Sequence, residues 1–156
     1  MEFLNPNWNE LLGHLIKIVA AYLLSFPIGW NREAKVRNAA LRTFPLVAVG
    51  SCGFMLLGVE TLTSTDAESR VLYGLMTGIG FLGGGAILKQ GGSVRGTATA
   101  ASIWITGAVG GAVAFGRYEI AVLLSLLNFL TLSWFGPLKE SVKRDMEESP
   151  EQANCD

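Results

Sequence analysis

The sequence has few of the residues on which secreted domains and enzymes depend. Its 156 residues include two cysteines and one histidine. Cys52 lies inside an apolar run and Cys155 is the penultimate residue, so they do not form a disulfide framework. The sequence contains no Gly-Lys-Ser/Thr phosphate loop and no nucleophile elbow. We therefore predict a protein that is not an enzyme and that binds no cofactor or catalytic metal.

Charge is also scarce, because only 16% of the residues are charged whereas 50% are hydrophobic. The charged residues fall between apolar runs rather than along one face of an amphipathic helix, which argues against a soluble helical protein. A formal net charge of −1 gives no support to a nucleic-acid partner. The composition instead indicates an integral membrane protein whose principal surroundings are the lipid bilayer.

Five apolar runs approach the length of about 17–25 residues that a transmembrane helix needs. They cover residues 11–30, 43–62, 71–88, 97–115 and 120–135. The sequence therefore predicts an all-α bundle of about five transmembrane helices, with a membrane domain over 1–137 and a polar cytoplasmic tail over 138–156. No early Lys or Arg precedes the first run, so we expect that run to remain attached rather than be cleaved as a signal peptide.

The orientation follows from the loops, because Lys and Arg are retained on the cytoplasmic side of a membrane. The loops after the second and fourth runs lie on one side of the predicted bundle, and the basic residues there are only Arg70 and Arg117. The other side has nine basic residues: Arg32, Lys35, Arg37, Arg42, Lys89, Arg95, Lys139, Lys143 and Arg144. We therefore expect the amino terminus outside and the carboxyl terminus in the cytoplasm.

Glycine is the most prominent feature, with nineteen residues concentrated in the third and fourth runs. Glycines spaced four apart line one helical face and let helices approach closely in lipid. The predicted packing residues are Gly74, Gly78, Gly80, Gly83, Gly84, Gly107 and Gly111. An alternative is that the segment 78–85 unwinds locally and binds an ion at the broken helix ends.

Two polar groupings stand out among the apolar runs. His14 and Lys17 lie on adjoining turns of the first run and, with Glu60 as a candidate partner, predict either a cation or proton site or simply side chains that reach water. On the predicted cytoplasmic side, a second cluster could bind a phosphate, an anionic head group or an acidic partner, or could only set orientation. Its members are Arg32, Glu33, Arg42, Thr43, Arg95, Thr97 and Thr99.

Three segments together resemble the MgtC/SapB family of bacterial membrane proteins, including its YhiD-like members. They are Gly29-Trp-Asn-Arg-Glu33 with Ala40-Leu-Arg-Thr43, Gly78-Ile-Gly-Phe-Leu-Gly-Gly-Gly85, and Val94-Arg-Gly-Thr-Ala-Thr-Ala-Ala-Ser-Ile-Trp104. The resemblance departs from the family pattern at Asn31, where an acidic residue is common, at Gly84, and at Thr97-Ala98. The soluble carboxyl-terminal domain of longer members has no counterpart in these residues.

The resemblance implies a multi-pass protein of the bacterial inner membrane linked to adaptation to low magnesium and, in pathogens, to virulence. It implies a non-enzymatic protein that modulates another membrane protein, for example a proton-translocating ATP synthase, and it is compatible with a homo-oligomer. The alternative is a small oligomeric transporter or channel for Mg²⁺ or H⁺.

Overall fold

The computed structural model describes residues 7–35, 40–90 and 93–134. Five helices occupy most of this part of the chain: α1 (Trp8–Lys35), α2 (Ala40–Thr61), α3 (Thr65–Gly85), α4 (Thr97–Ala114) and α5 (Tyr118–Trp134). A short antiparallel hairpin, β1 (Leu88–Gln90) and β2 (Ser93–Arg95), joins α3 to α4. The predicted all-α helical bundle is confirmed.

Helix α4 lies within the bundle, where it packs against α1, α2 and α3. Two groups of buried side chains surround it. One contains Cys52, Met55, Val109 and Val113, and the other contains Ile28, Phe44, Ile79 and Ile103. Helix α4 is apolar on all sides, as expected for a helix enclosed by others.

The outer surface carries large apolar side chains on several helices, including Leu23, Leu57 and Leu127, each about 60% exposed. Three helical segments are long and apolar enough to cross a membrane by length and composition: Trp8–Arg32, Ala40–Thr61 and Thr97–Ala114. Helix α5 is apolar but shorter. The 21 residues of α3 extend about 31 Å, so its length is also sufficient to cross the hydrocarbon.

The third apolar run differs from its prediction at both ends. Helix α3 begins six residues before Val71, because the Ser64 hydroxyl caps it by accepting a hydrogen bond from the Ala67 amide at 3.2 Å. It ends at Gly85, and Leu88, which was predicted to lie in the transmembrane helix, begins the hairpin. The predicted alternative of an unwound segment at 78–85 is wrong, since α3 is helical throughout those residues.

Candidate functional site

The contacts between helices define two ends of the bundle. At one end Arg32 of α1 contacts Thr99 of α4, and the α1 backbone at Gly29 lies against Ala40 at the start of α2. The hairpin lies at the same end, because it precedes α4 directly. We call this the basic end, since the cations among its described side chains are Arg32, Arg42, Lys89 and Arg95. The predicted topology places this end in the cytoplasm.

The opposite end, which we call the acidic end, is formed by the start of α1, the α2–α3 connection and the α4–α5 connection. It carries more carboxylates than the basic end does within the described residues. Its charged side chains are Glu10, Glu60, Asp66, Glu68, Arg70, Arg117 and Glu119. The bundle therefore has a strong charge asymmetry along its axis.

The predicted polar cluster is assembled in part at the basic end. The half-buried Arg32 guanidinium donates a hydrogen bond to the Thr99 hydroxyl in the first turn of α4. Arg95 and Thr97, which closely precede Thr99 in the sequence, are exposed. Arg42 and Thr43 are exposed at the start of α2, whereas the Glu33 side chain lies outside the described residues. The structure thus joins Arg32 to Thr99 and leaves Arg42 and Arg95 facing outward.

Asn31 adds a contact between α1 and α5 at the basic end. Its amide nitrogen donates to the Ser133 hydroxyl at 2.7 Å. Its amide oxygen is buried and has no hydrogen-bond partner among the described residues. Because buried polar atoms normally find a partner, this oxygen is an unusual feature of the basic end.

At the acidic end, His14 and Lys17 of α1 have different partners. His14 Nε2 contacts Glu60 Oε1 at the end of α2, so these two side chains connect α1 to α2. Lys17 does not join this pair. Its ammonium donates to the backbone carbonyl of Ala114, the last residue of α4, at 3.0 Å. A cation at a helix carboxyl terminus satisfies a free carbonyl and complements the helix dipole.

The contacts of Lys17 and Arg32 fix α1 and α4 in antiparallel register. Fifteen residues separate Lys17 from Arg32 on α1, and fifteen separate Thr99 from Ala114 on α4. At a rise of about 1.5 Å per residue, both intervals are about 22 Å long. Each end of α4 is therefore held by one basic side chain of α1.

Buried polar side chains also hold the short helix α5, and sequence reasoning missed them. The Ser102 hydroxyl donates to Asn128 Oδ1 at 2.8 Å, which connects α4 to α5. The Ser125 hydroxyl donates to the Leu24 carbonyl, which connects α5 to α1. Such interhelical hydrogen bonds are a common means of association in lipid. Asn128 and Ser125 inside an apolar run were the signal that could have identified these contacts.

Some glycines are sites of close helix approach within the chain. An added Cβ at Gly83 would lie 3.2 Å from the Ala100 carbonyl oxygen, and one at Gly107 would lie 2.1 Å from Ile79 Cδ1. Gly111 is less restricted, with Met55 at 3.9 Å. The tightest approach to the backbone of another helix involves Gly110, which was not predicted. Its Cβ would lie 2.1 Å from the Ala48 carbonyl oxygen of α2.

The other predicted packing glycines face open space. Gly74, Gly78, Gly80 and Gly84 have no atom of another described element within 4 Å of an added Cβ. Gly74 and Gly78 line an apolar groove of about 780 Å³ between α2 and α3, together with Val47, Phe54 and Leu82 among others. That these glycines pack against a helix therefore stays a prediction, since no helix among the described residues contacts them closely.

This helical bundle, with its apolar exterior and its polar contacts at both helix ends, is that of a multi-pass membrane protein. The model of the MgtC family matches residues 18–141, and the chain belongs to that family. It is 36% identical over 143 residues to the protein SrpB of Synechococcus elongatus, covering 83% of this chain and 79% of SrpB.

Two further relatives are longer than the region that they share with this chain. YhiD of Escherichia coli (strain K12), whose name assigns it provisionally as a magnesium transporter, is 34% identical over 131 residues, covering 80% of this chain and 61% of YhiD. The protein MgtC of Salmonella typhimurium (strain LT2) is 36% identical over 114 residues, covering 73% of this chain and 48% of MgtC. No solved structure matches the chain.

Proposed function

We propose that this chain is a non-enzymatic protein of the bacterial inner membrane that modulates another membrane protein during adaptation to low magnesium. In this proposal, the partner contributes a transmembrane helix that binds the groove between α2 and α3. The observation that carries the proposal is the open glycine surface of that groove, at Gly74 and Gly78.

The physical reason is that helices in lipid gain little from burying apolar surface and instead associate through close backbone contact. Within the described chain, Gly83, Gly107 and Gly110 already provide such contacts between its own helices. Gly74 and Gly78 provide the same smooth backbone along the groove, where an added Cβ would meet no atom of the described residues within 4 Å. Only Ile79 and Gly83 of α3 are buried, so most of this helix is available for a partner.

A photo-crosslinking amino acid at Leu82, which lines the groove and is 54% exposed, tests this proposal in intact cells. We expect a crosslinked membrane protein that mass spectrometry identifies reproducibly. Gly78→Leu in the same background should reduce its recovery about tenfold, because a branched side chain keeps the two backbones apart. Growth in limiting magnesium should decline in parallel.

Gly80→Leu is the matched control for Gly78→Leu. Both glycines are exposed on α3, and an added Cβ at either would meet no atom of the described residues within 4 Å, but only Gly78 lines the groove. The control should change recovery less than twofold. Equal effects of the two substitutions, or normal growth in limiting magnesium after the crosslinked species is lost, would contradict the proposal.

A second candidate function is a small cation transporter for Mg²⁺ or H⁺. It is favoured by the position of Lys17, whose ammonium contacts the end of α4 inside the bundle, and by the name of the relative YhiD. Purified protein in liposomes should then produce a magnesium or proton flux that Lys17→Met reduces. A flux equal to that of empty liposomes argues against this function.

A further inference from the structure

The hairpin between α3 and α4 combines cations and aliphatic side chains on both of its faces. In the register of its two strands, Leu88 lies opposite Arg95 and Lys89 lies opposite Val94. Successive residues of a strand point to opposite faces, and residues directly opposite each other share a face. One face therefore presents Leu88 with Arg95, and the other presents Lys89 with Val94.

These aliphatic side chains are not covered by the rest of the described chain. Leu88 is 58% exposed and Val94 is 49% exposed, and Ile87 immediately before the hairpin is 44% exposed. Lys89 and Arg95 are also exposed. A short segment with so much uncovered apolar surface is poorly suited to water, whereas its cations make it poorly suited to hydrocarbon.

The position of the hairpin in the fold explains why apolar and cationic side chains are exposed together. It is attached to α3 on one side and to α4 on the other, at the end of the bundle where the Arg32 guanidinium also lies. At that level the hydrocarbon of a bilayer meets its head groups, so aliphatic side chains can enter the acyl region while Lys and Arg reach the phosphates.

We propose that the hairpin is a binding surface for anionic phospholipids in the leaflet at the basic end, with Lys89 and Arg95 contacting the phosphates. Leu88 and Val94 insert among the acyl chains beside them. The alternation of cation and aliphatic side chain on each face favours a lipid over an acidic protein, which would need the charges without the exposed apolar surface. The inference does not depend on which protein binds the groove between α2 and α3.

Titration of the detergent-solubilised full chain with phosphatidylglycerol and with phosphatidylcholine tests the proposal. We expect the wild type to prefer phosphatidylglycerol. Combining Lys89→Gln with Arg95→Gln should weaken phosphatidylglycerol binding about 25-fold, since each such cation contributes about fivefold near anionic lipid. The matched control combines Arg70→Gln with Arg117→Gln at the acidic end and should change binding less than twofold.

Combining Leu88→Ser with Val94→Ser tests the contribution of acyl-chain insertion to lipid binding separately from that of the cations. We expect it to weaken binding of both lipids while the preference for phosphatidylglycerol is retained. All variants are compared by their melting temperatures, so that a loss of fold is recognised.

A wild type that does not distinguish the two lipids, or equal losses of binding in the two charge variants, would overturn the proposal. Full competition by glycerol 3-phosphate or by an acidic peptide would also overturn it, since the surface would then recognise free phosphate or protein.

Discussion

The antiparallel pair α1–α4 and the helix α3 differ in how closely they are bound to the rest of the bundle. The pair is fixed at both ends by hydrogen bonds, from Arg32 to Thr99 and from Lys17 to the Ala114 carbonyl. In contrast, only Ile79 and Gly83 of the 21 residues of α3 are buried. The bundle therefore has a pair of helices joined by hydrogen bonds at both ends, and one helix whose surface is mostly left uncovered by the other described residues.

The comparison shows that one residue type has two different uses here. In α4, glycine is needed because the neighbouring backbone of α2 lies where a side chain would be. In α3, the glycines of the groove leave a concave apolar surface that nothing in the described chain fills. Gly107 and Gly111 of α4 have the same four-residue spacing as Gly74 and Gly78 of α3, so spacing does not distinguish the two uses and only the tertiary contacts do.

The largest expected effect comes from adding a methyl group at Gly110. Its Cβ would meet the Ala48 carbonyl oxygen at 2.1 Å, and backbone cannot move aside as a side chain can. We expect Gly110→Ala to lower the free energy of unfolding by about 3 kcal/mol, at the upper end of overpacking costs. Denaturant titration in mixed micelles measures this.

Gly107→Ala and Gly78→Ala complete this series. The new methyl group of Gly107→Ala contacts only the flexible end of the Ile79 side chain, so it should lower the free energy of unfolding less than Gly110→Ala does. The methyl group of Gly78→Ala contacts no described atom and should change the free energy of unfolding by less than about 1 kcal/mol. Equal losses in all three variants would mean that the difference between α4 and α3 is not one of packing.

An intermediate effect is expected at the hydrogen bond between Ser102 and Asn128. A double-mutant cycle with Ser102→Ala and Asn128→Ala should give a coupling energy of about 0.6–1.7 kcal/mol, the range known for such bonds in membranes. The same unfolding assay provides the four free energies. The exposed pair Asp66 and Arg70 on α3 is the comparison cycle and should show a coupling below about 0.5 kcal/mol. Coupling no larger in the buried pair than in the exposed one would refute the view that α5 is held by this bond.

The smallest expected effect is that of Lys17→Met, which removes the cation from the end of α4. A cation at a helix carboxyl terminus contributes about 0.3–1 kcal/mol, so the loss of stability should lie in that range. Lys17→Arg keeps the charge and should restore most of the stability in the same measurement. Destabilisation by Lys17→Arg as large as that by Lys17→Met would indicate that side-chain shape, rather than charge, matters at this position.

The sequence was sufficient to predict the helices because the apolar runs are long and are separated by charged loops. It was insufficient at the hairpin, where Leu88 continues the apolar run although the helix ends at Gly85. The four-residue spacing of glycines also could not distinguish Gly78 from Gly107, because that distinction depends on which neighbour is nearby. Gly110 was missed for the same reason, although it lies beside the predicted Gly111.

The polar contacts were predictable only in part. Charge near the helix ends indicated Arg32 and Thr99 as members of one cluster, and the structure joins them. The partner of Lys17 could not be predicted, since it is a backbone carbonyl and carries no signal in the sequence. The buried Asn128 and Ser125 were visible as polar residues in an apolar run, but their partners depend on the rotation of α5.

Gly96 connects the hairpin to α4 with φ of +86°, and a Cβ there would lie 1.9 Å from the Ala86 carbonyl oxygen. The joint is consequently tight rather than hinged, although glycine is often regarded as a source of looseness. Any side chain at residue 96 would collide with the Ala86 carbonyl, so glycine is a geometric requirement for placing the hairpin directly before the first turn of α4.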